Sequence, residues 1–338
     1  MDYCVFNFGG LNGTSAVSTV DAFKVSDEGI EKLNAQTLDS TRAYSAAASV
    51  GNCVVVVGGG TKDASIGDLD IFRFSGSTLE KAEDTSGGIE PGRNFLAAAS
   101  VGNYVLAMGG CLESSGEVSS VFNTVDVFEV TSSSVAKVTD RGLTLKAARG
   151  RLAAATAGNR VIAVGGITTE DKASQYLDAF KLKTDGSFEH LYIPEALSVA
   201  RYDLAAASVG NYVLAIGGFD GTNASNAVDV FRVNDNGVGK VEGYDLALSV
   251  PRYGLAAASV GNYILAMGGK TEDNVVSDVV DVFKLEKGGL VTVENHGLAL
   301  KQARAYLSAA SAGNYVLAMG GFDGTSDSKT VDVFYNFN

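Results

Sequence analysis

Short apolar runs bounded by glycine recur along the chain. Tyr212-Val-Leu-Ala-Ile216 and Tyr263-Ile-Leu-Ala-Met267 are apolar at every position, and each ends in Gly-Gly. A run this short, without alternation, predicts a strand buried on both faces. Before it stands a run of almost pure Ala and Ser, as in Ala97-Ala-Ala-Ser100 and Ala205-Ala-Ala-Ser208. Gly-Asn separates the two (Gly51-Asn52, Gly102-Asn103, Gly210-Asn211, Gly313-Asn314) and supplies the positive φ that a tight hairpin needs. After Gly-Gly come a polar loop, an alternating segment such as Val280-Asp-Val-Phe-Lys-Leu285, a turn, and a more polar run such as Leu290 to Leu300. Asp27-Glu-Gly29, Asp185-Gly186 and Asp235-Asn-Gly237 mark that second turn. Each unit therefore predicts four antiparallel strands, A to D.

The unit repeats. Gly-Gly pairs begin at Gly9, Gly58, Gly109, Gly165, Gly217, Gly268 and Gly320, a period of 49 to 56 residues. A period near 50 residues is the signature of a repeat architecture. The composition of each strand assigns its place. Ala and Ser in A suit the crowded axis, the wholly apolar B suits burial between neighbouring sheets, and the longer, more polar D suits an outer edge. Four-stranded sheets repeated around a channel make an all-β propeller.

The same residues carry a resemblance. Gly-Gly closes strand B seven times, and an acidic residue with an aromatic marks strand C from Val20-Asp-Ala-Phe23 to Val331-Asp-Val-Phe334. Arg42, Arg93, Arg149, Arg201, Arg252 and Arg304 precede the six complete A strands. With these features the chain resembles the kelch-repeat β-propeller family over essentially its whole length. It lacks the family's strand-D tryptophan, whose packing space falls to leucines such as Leu246, Leu248, Leu298 and Leu300. The expected domain is a single propeller over residues 1–338. Its repeat units lie near 1–41, 42–92, 93–148, 149–200, 201–251, 252–303 and 304–338. Seven B and seven C strands stand against six A and six D strands, because the chain opens at a B strand and stops after a C strand. Seven blades, the first and last each one strand short, use every apolar strand. Six blades closed by a C-terminal A strand, as in many relatives of this kind, leave Tyr315 to Phe334 without a place. A truncated gene or a longer parent array would account for the ragged ends.

Composition narrows the function classes. The chain has 338 residues, a formal net charge of −13 and 46% apolar residues, ample for a packed core. So acidic a surface disfavours nucleic acid, whose phosphates need clustered Lys and Arg. No stretch approaches the roughly 18 apolar residues of a membrane span. The N-terminal segment lacks the pattern of a signal peptide, so a cytoplasmic location is expected unless a targeting segment was removed. Cys4 and Cys53 fall on the same slot of successive repeats, where sheets about 10 Å apart exceed the reach of a disulfide.

Candidate chemistry is sparse. His190 and His296, the two histidines, fall in strand D away from any other ligand type, and a copper cluster of the galactose-oxidase kind has no counterpart. No metal, cofactor or catalytic constellation is expected. Asp220 to Asn226 and Asp323 to Ser328 resemble calcium loops only superficially, without the terminal bidentate glutamate, and read as polar turns. The strand-C aspartates recur in every blade and therefore read as structural, each needing a backbone N–H or the strand-A arginine as partner.

Function is sought where the repeats disagree. Two positions after each strand-A arginine stand Tyr44, Phe95, Arg151, Asp203, Gly254 and Tyr306, at the junction of strands D and A near one mouth of the channel. The kelch resemblance adds the six arginines themselves as pocket candidates, since the family often lines its partner site with them. The alternative is that each arginine pairs with an aspartate and caps its blade. The leading expectation is a non-catalytic binding scaffold for a protein or glycan. Arg beside Tyr suits carboxylate peptides or sugars, and a lengthened loop runs from Cys111 to Thr124. A small sugar-modifying enzyme resembling the sialic-acid epimerases is the runner-up. Glu195, Asp203 and Arg151 are its only irregular charges near a mouth, and the A strands offer few titratable groups.

Overall fold

The computed structural model of the chain describes residues 3–26, 28–34, 36–75, 78–82, 87–114, 117–335 and 337. It is a seven-bladed β-propeller. Blade 4 shows the complete pattern: Ala153–Ala157, Arg160–Val164, Leu177–Leu182 and Phe188–Ile193, each antiparallel to the next. Blades 2, 3, 5 and 6 repeat it. Blade 1 begins at its B strand, Tyr3–Phe8, and blade 7 ends at its C strand, Val331–Phe334. The A–B hairpins turn on glycine: Gly51, Gly102, Gly210 and Gly313 have φ of 55–59° while the following Asn keeps negative φ, the pattern of a type II′ turn. Asp27, the start of one predicted C–D turn, lies outside the described residues.

The core is a series of wedges between blades. Seven apolar clusters each bridge one pair of neighbours. Between blades 2 and 3, for example, Val55, Val57 and Ile71 meet Val105, Ala107 and Phe128. The ring closes where Val5, Phe23 and Val25 of blade 1 pack on Ala312, Leu317 and Met319 of blade 7. Strand B is buried at every position in blades 2 to 4, as its composition requires. Leu246, Leu248 and Leu300 are buried in the outer wedge, filling the space left by the absent tryptophan.

Two backbone contacts stitch each of blades 1 to 6 to the next. The second glycine of the pair donates its N–H to the carbonyl of the next blade's strand-A arginine, as in Gly59 to Arg93 (2.8 Å) and Gly166 to Arg201 (2.8 Å). The first glycine has φ near 60°, and a Cβ there would run into that same oxygen. Gly-Gly is therefore structural.

Some expectations need correction. Strand D is short, three to six residues, because the polar run divides. In blade 6 only Gly289–Thr292 is strand, and the chain then returns to the sheet at Ala299. His296 consequently lies in the loop beyond strand D, where its Nδ1 accepts from the Leu298 N–H. The long loop after Gly110 is a hairpin of its own, Cys111–Ser114 against Glu117–Val121.

Candidate functional site

The six strand-A arginines are wholly buried, at 0% exposure. Each forms an ion pair with the strand-C aspartate of its own blade. The N–O separation is 2.5–2.9 Å for Arg93–Asp126, Arg201–Asp229 and Arg304–Asp332. Arg42–Asp70, Arg149–Asp178 and Arg252–Asp281 pair more closely still. The second carboxylate oxygen accepts a backbone N–H from the segment entering strand A, as Asp178 does from Lys146 (2.9 Å) and Asp281 from Ser249 (3.0 Å). A strand-D lysine often completes the set, Lys81 on Asp70, Lys137 on Asp126 and Lys240 on Asp229, and in blade 4 the Nε2 of His190 takes that place, 2.6 Å from Asp178. These arginines cap their blades and do not face the mouth, so this half of the candidate set serves the fold.

The residues two places further on behave differently. Tyr44, Phe95, Arg151, Asp203, Gly254 and Tyr306 all have left-handed backbone, with φ between 50° and 60°. Glycine adopts this freely, but a residue with a Cβ incurs a cost on the order of 1–2 kcal/mol. Five such residues in one slot mark a place where the surroundings impose the conformation. What imposes it is a chain of backbone hydrogen bonds around the axis. Phe95 N–H donates to the Tyr44 carbonyl, Arg151 to Phe95, Asp203 to Arg151, Gly254 to Asp203 and Tyr306 to Gly254, at 2.7–3.1 Å. The five side chains and Gly254 are thereby brought into one circle around the axis.

Their contacts form a continuous rim. The Tyr44 and Phe95 rings stack at 4.2 Å, and the Arg151 guanidinium lies over Phe95 at 4.6 Å. Arg151 then donates to Asp203 (3.1 Å) and to Glu113 (2.8 Å), which the long hairpin delivers. Beyond Gly254, whose missing side chain leaves room for the Tyr306 ring, the rim continues through Tyr253, Phe219 and Tyr202. Lys270 stands 5.4 Å from both the Tyr306 and Phe322 rings. Tyr44 and Tyr306 are 43% and 46% exposed, among the most open large hydrophobic side chains described.

Electrostatics define what the rim offers. Burial, reinforced by Asp203, pushes the phenols of Tyr202, Tyr253 and Tyr306 up, so they stay O–H donors through neutral pH. Burial also raises Asp203, against the opposing pull of Arg151. Burial lowers Arg151, but Asp203 and Glu113 outweigh it and hold the guanidinium charged. With its fork already committed to two carboxylates, Arg151 is a stacking plate more than an anion trap. Cys111, beneath Glu113, is a buried thiol pushed up to about 12 by burial and so is unreactive.

Sequence reasoning missed Glu113, Tyr202, Tyr253, Phe219, Lys270 and Phe322. The signal was available: five directly follow a strand-A arginine or a Gly-Gly pair, positions bridged to one another in the structure (Tyr202 to Phe219, Tyr253 to Lys270). Glu195 is exposed in the turn after blade 4, apart from the contacts of Arg151 and Asp203. Asp220 and Asp323 each accept two backbone N–H bonds from their own turns, as polar loops do. Among the described residues no cluster of His, Cys, Asp and Glu could hold a metal ion.

The comparisons agree with this architecture. A family model described as the KLHDC2/KLHL20/DRC7 Kelch-repeats domain matches residues 95–321. A solved structure titled "Structure of YjhT" aligns with a TM-score of 0.63 over 88% of this chain and 95% of that one, at 14% identity, a likeness of fold. No curated protein sequence matches. Among the described residues no helix is long and apolar enough to cross a membrane. The period read from Gly-Gly and strand-A arginine is thus a kelch repeat, and the chain belongs to the kelch-repeat family.

Proposed function

We propose that the protein is a non-catalytic binding module that takes a protein or glycan partner at the channel mouth lined by Tyr44, Phe95, Arg151, Asp203 and Tyr306. The observation that carries this reading is the repeated left-handed slot, where side chains other than glycine persist at a conformational cost. Exposed aromatic rings, a stacked guanidinium and phenolic donors suit sugar faces and hydroxyls, or the side chains of a protein loop. The six blade-capping arginines support the site from behind by fixing the segments that carry it.

The test is a glycan array and a displayed peptide library, followed by titration of the selected binder. Tyr44→Ala, Arg151→Ala and Tyr306→Ala, each verified as folded, are expected to weaken it, at least one by ~1 kcal/mol or more. If none does, the mouth is not the site. One observation favours a sugar-modifying enzyme instead: Asp203 is raised by burial beside Arg151, within reach of the rim phenols. Sugar turnover that Asp203→Ala abolishes would replace the scaffold reading.

A further inference from the structure

The negative charge of the protein is gathered at the mouth. The B–C loops, from each Gly-Gly pair to the start of strand C, are residues 9–18, 58–68, 109–124, 165–176, 217–227, 268–279 and 320–330. These seven loops hold twelve carboxylates against four lysines, a net −8 of the −13 of the whole chain. Each of the last six is net negative, so the charge surrounds the opening and does not stand on one side of it. On the opposite face the six A–B turns are uncharged Gly-Asn pairs.

Inside this ring of carboxylates lie aromatic faces, and the protein's own side chains show what such faces hold. Arg151 stacks on Phe95 while it donates to Asp203 and Glu113, and Lys270 stands over the rings of Tyr306 and Phe322. The electron-rich face of a ring attracts a cation, and a carboxylate beside it adds to the pull. The half-open rings of Tyr44 and Tyr306 offer the same combination. Burial first, then Asp203, raises the Tyr306 phenol, and burial with Glu113 raises that of Tyr44, so carboxylates stand within electrostatic reach of both rings. Further out, Asp63, Asp171, Glu272 and Asp273 are exposed and form no ion pair among the described residues. The carboxylate ligand that Arg beside Tyr suggested is therefore disfavoured. The guanidinium at the rim is already held by two carboxylates, and an acidic ligand would meet a surplus of its own charge.

We propose, resting on the mouth as the binding site, that its occupant is an arginine-bearing basic segment of a partner protein. An arginine entering the opening stacks its guanidinium on Tyr44 or Tyr306 while its fork donates to a rim carboxylate, repeating the arrangement of Arg151 on Phe95. A lysine has no planar fork and gains less from either partner. Flanking basic residues of the segment meet Asp63, Asp171, Glu272 and Asp273, which belong to the loops of three different blades. Charges spread so widely reward a peptide with several spaced cations over a single small amine. The same field draws a basic partner toward the mouth before contact, and salt screens it. A neutral or acidic glycan gains nothing from it.

The experiment titrates the full chain with three fluorescein-labelled peptides: Gly-Arg-Gly-Arg-Gly-Arg-Gly and its counterparts with lysine or glutamate in place of arginine. Saturable one-to-one binding of the arginine peptide is expected, about fivefold tighter than the lysine peptide and weaker as salt rises from about 50 to 200 mM. The glutamate peptide is expected not to bind. Tyr44→Ala with Tyr306→Ala, verified as folded, is expected to weaken the arginine peptide by about fivefold or more and to remove its advantage over lysine. Asp171→Asn with Asp273→Asn is expected to weaken it about threefold and to flatten the salt dependence. Equal binding of the arginine and lysine peptides, unmoved by the tyrosine variant, would be diffuse attraction to an acidic surface and overturns the proposal. Spermidine competing as strongly as the arginine peptide would give the mouth to a small polyamine and overturns it too. If the arginine peptide fails while a neutral or acidic ligand binds and is weakened by the tyrosine variant, the proposal is overturned and the mouth stands as the site. If the tyrosine variant weakens no ligand of any charge, the mouth falls with it.

Discussion

Asp178 and Asp21 occupy the same place in the repeat and have opposite surroundings. Asp178 is fully buried against Arg149, whereas Asp21 is half-open to solvent beside Lys32. Removing one partner of a buried pair strands the other charge and costs about 3–5 kcal/mol. An exposed pair contributes under about 1 kcal/mol. Asp178→Ala is therefore expected to shift the urea midpoint far more than Asp21→Ala, and equal shifts would contradict this account. The motif Val/Leu-Asp-x-Phe made the aspartates legible in the sequence, and their need for a partner followed from burial. The division of labour at the D–A junction was not legible. Arg149 and Arg151 are two residues apart, and only the left-handed φ of Arg151 sends one inward and the other to the mouth. No local preference of arginine or tyrosine announces that conformation; the bonds from neighbouring blades impose it.

Among the elements, strand A responds most sharply to its neighbours. Ala206 of blade 5 packs against the wedge shared with blade 4, while the equivalent Ala47 of blade 2 lines a cavity beside Tyr3–Phe8 and is exposed. Ala206→Leu is expected to lower stability by ~1–3 kcal/mol through overpacking. Ala47→Leu is expected to leave the melting temperature nearly unchanged. A comparable loss at both sites would mean that blade 1 leaves no space at its inner edge. Strands A, B and C were readable because each keeps one composition throughout: small residues in A, apolar residues in B, and Asp and Phe alternating with apolar residues in C. Strand D was misjudged because Leu290 to Leu300 looks like one polar strand. In fact it serves two purposes, a short edge at Gly289–Thr292 and a leucine anchor at Leu300.

For the molecule as a whole, acid is the informative stress. Burial pushes Asp229 up, but Arg201 and Lys240 outweigh it and hold the carboxyl below its ordinary value. Asp323, accepting N–H bonds from Ser326 and Thr325, falls to about 2. Carboxylates depressed in the folded state stabilise it above their unfolded value near 4, and that contribution disappears as the pH falls through the folded value. Asp203 has the opposite sign: raised by burial, its charge opposes folding at neutral pH and is relieved on acidification. Calorimetry is expected to show a nearly flat Tm from about pH 7 to 5 and a decline between about pH 4 and 2. A Tm that climbs through the lower range would show that buried carboxylates like Asp203 dominate.

The five amide bonds around the mouth all point the same way round, each N–H toward the carbonyl of the preceding blade. In a closed circle such dipoles cancel, and each bond polarises the next without beginning or end. Among the described residues the circle has a donor terminus at Tyr44 and an acceptor terminus at Tyr306. The propeller therefore carries a lateral dipole spanning the gap, positive at one lip and negative at the other. Its pseudo-sevenfold architecture is thus electrically one-sided: a ligand settling over the mouth meets an oriented field, and polar ligands have a preferred heading on a scaffold whose blades otherwise look alike.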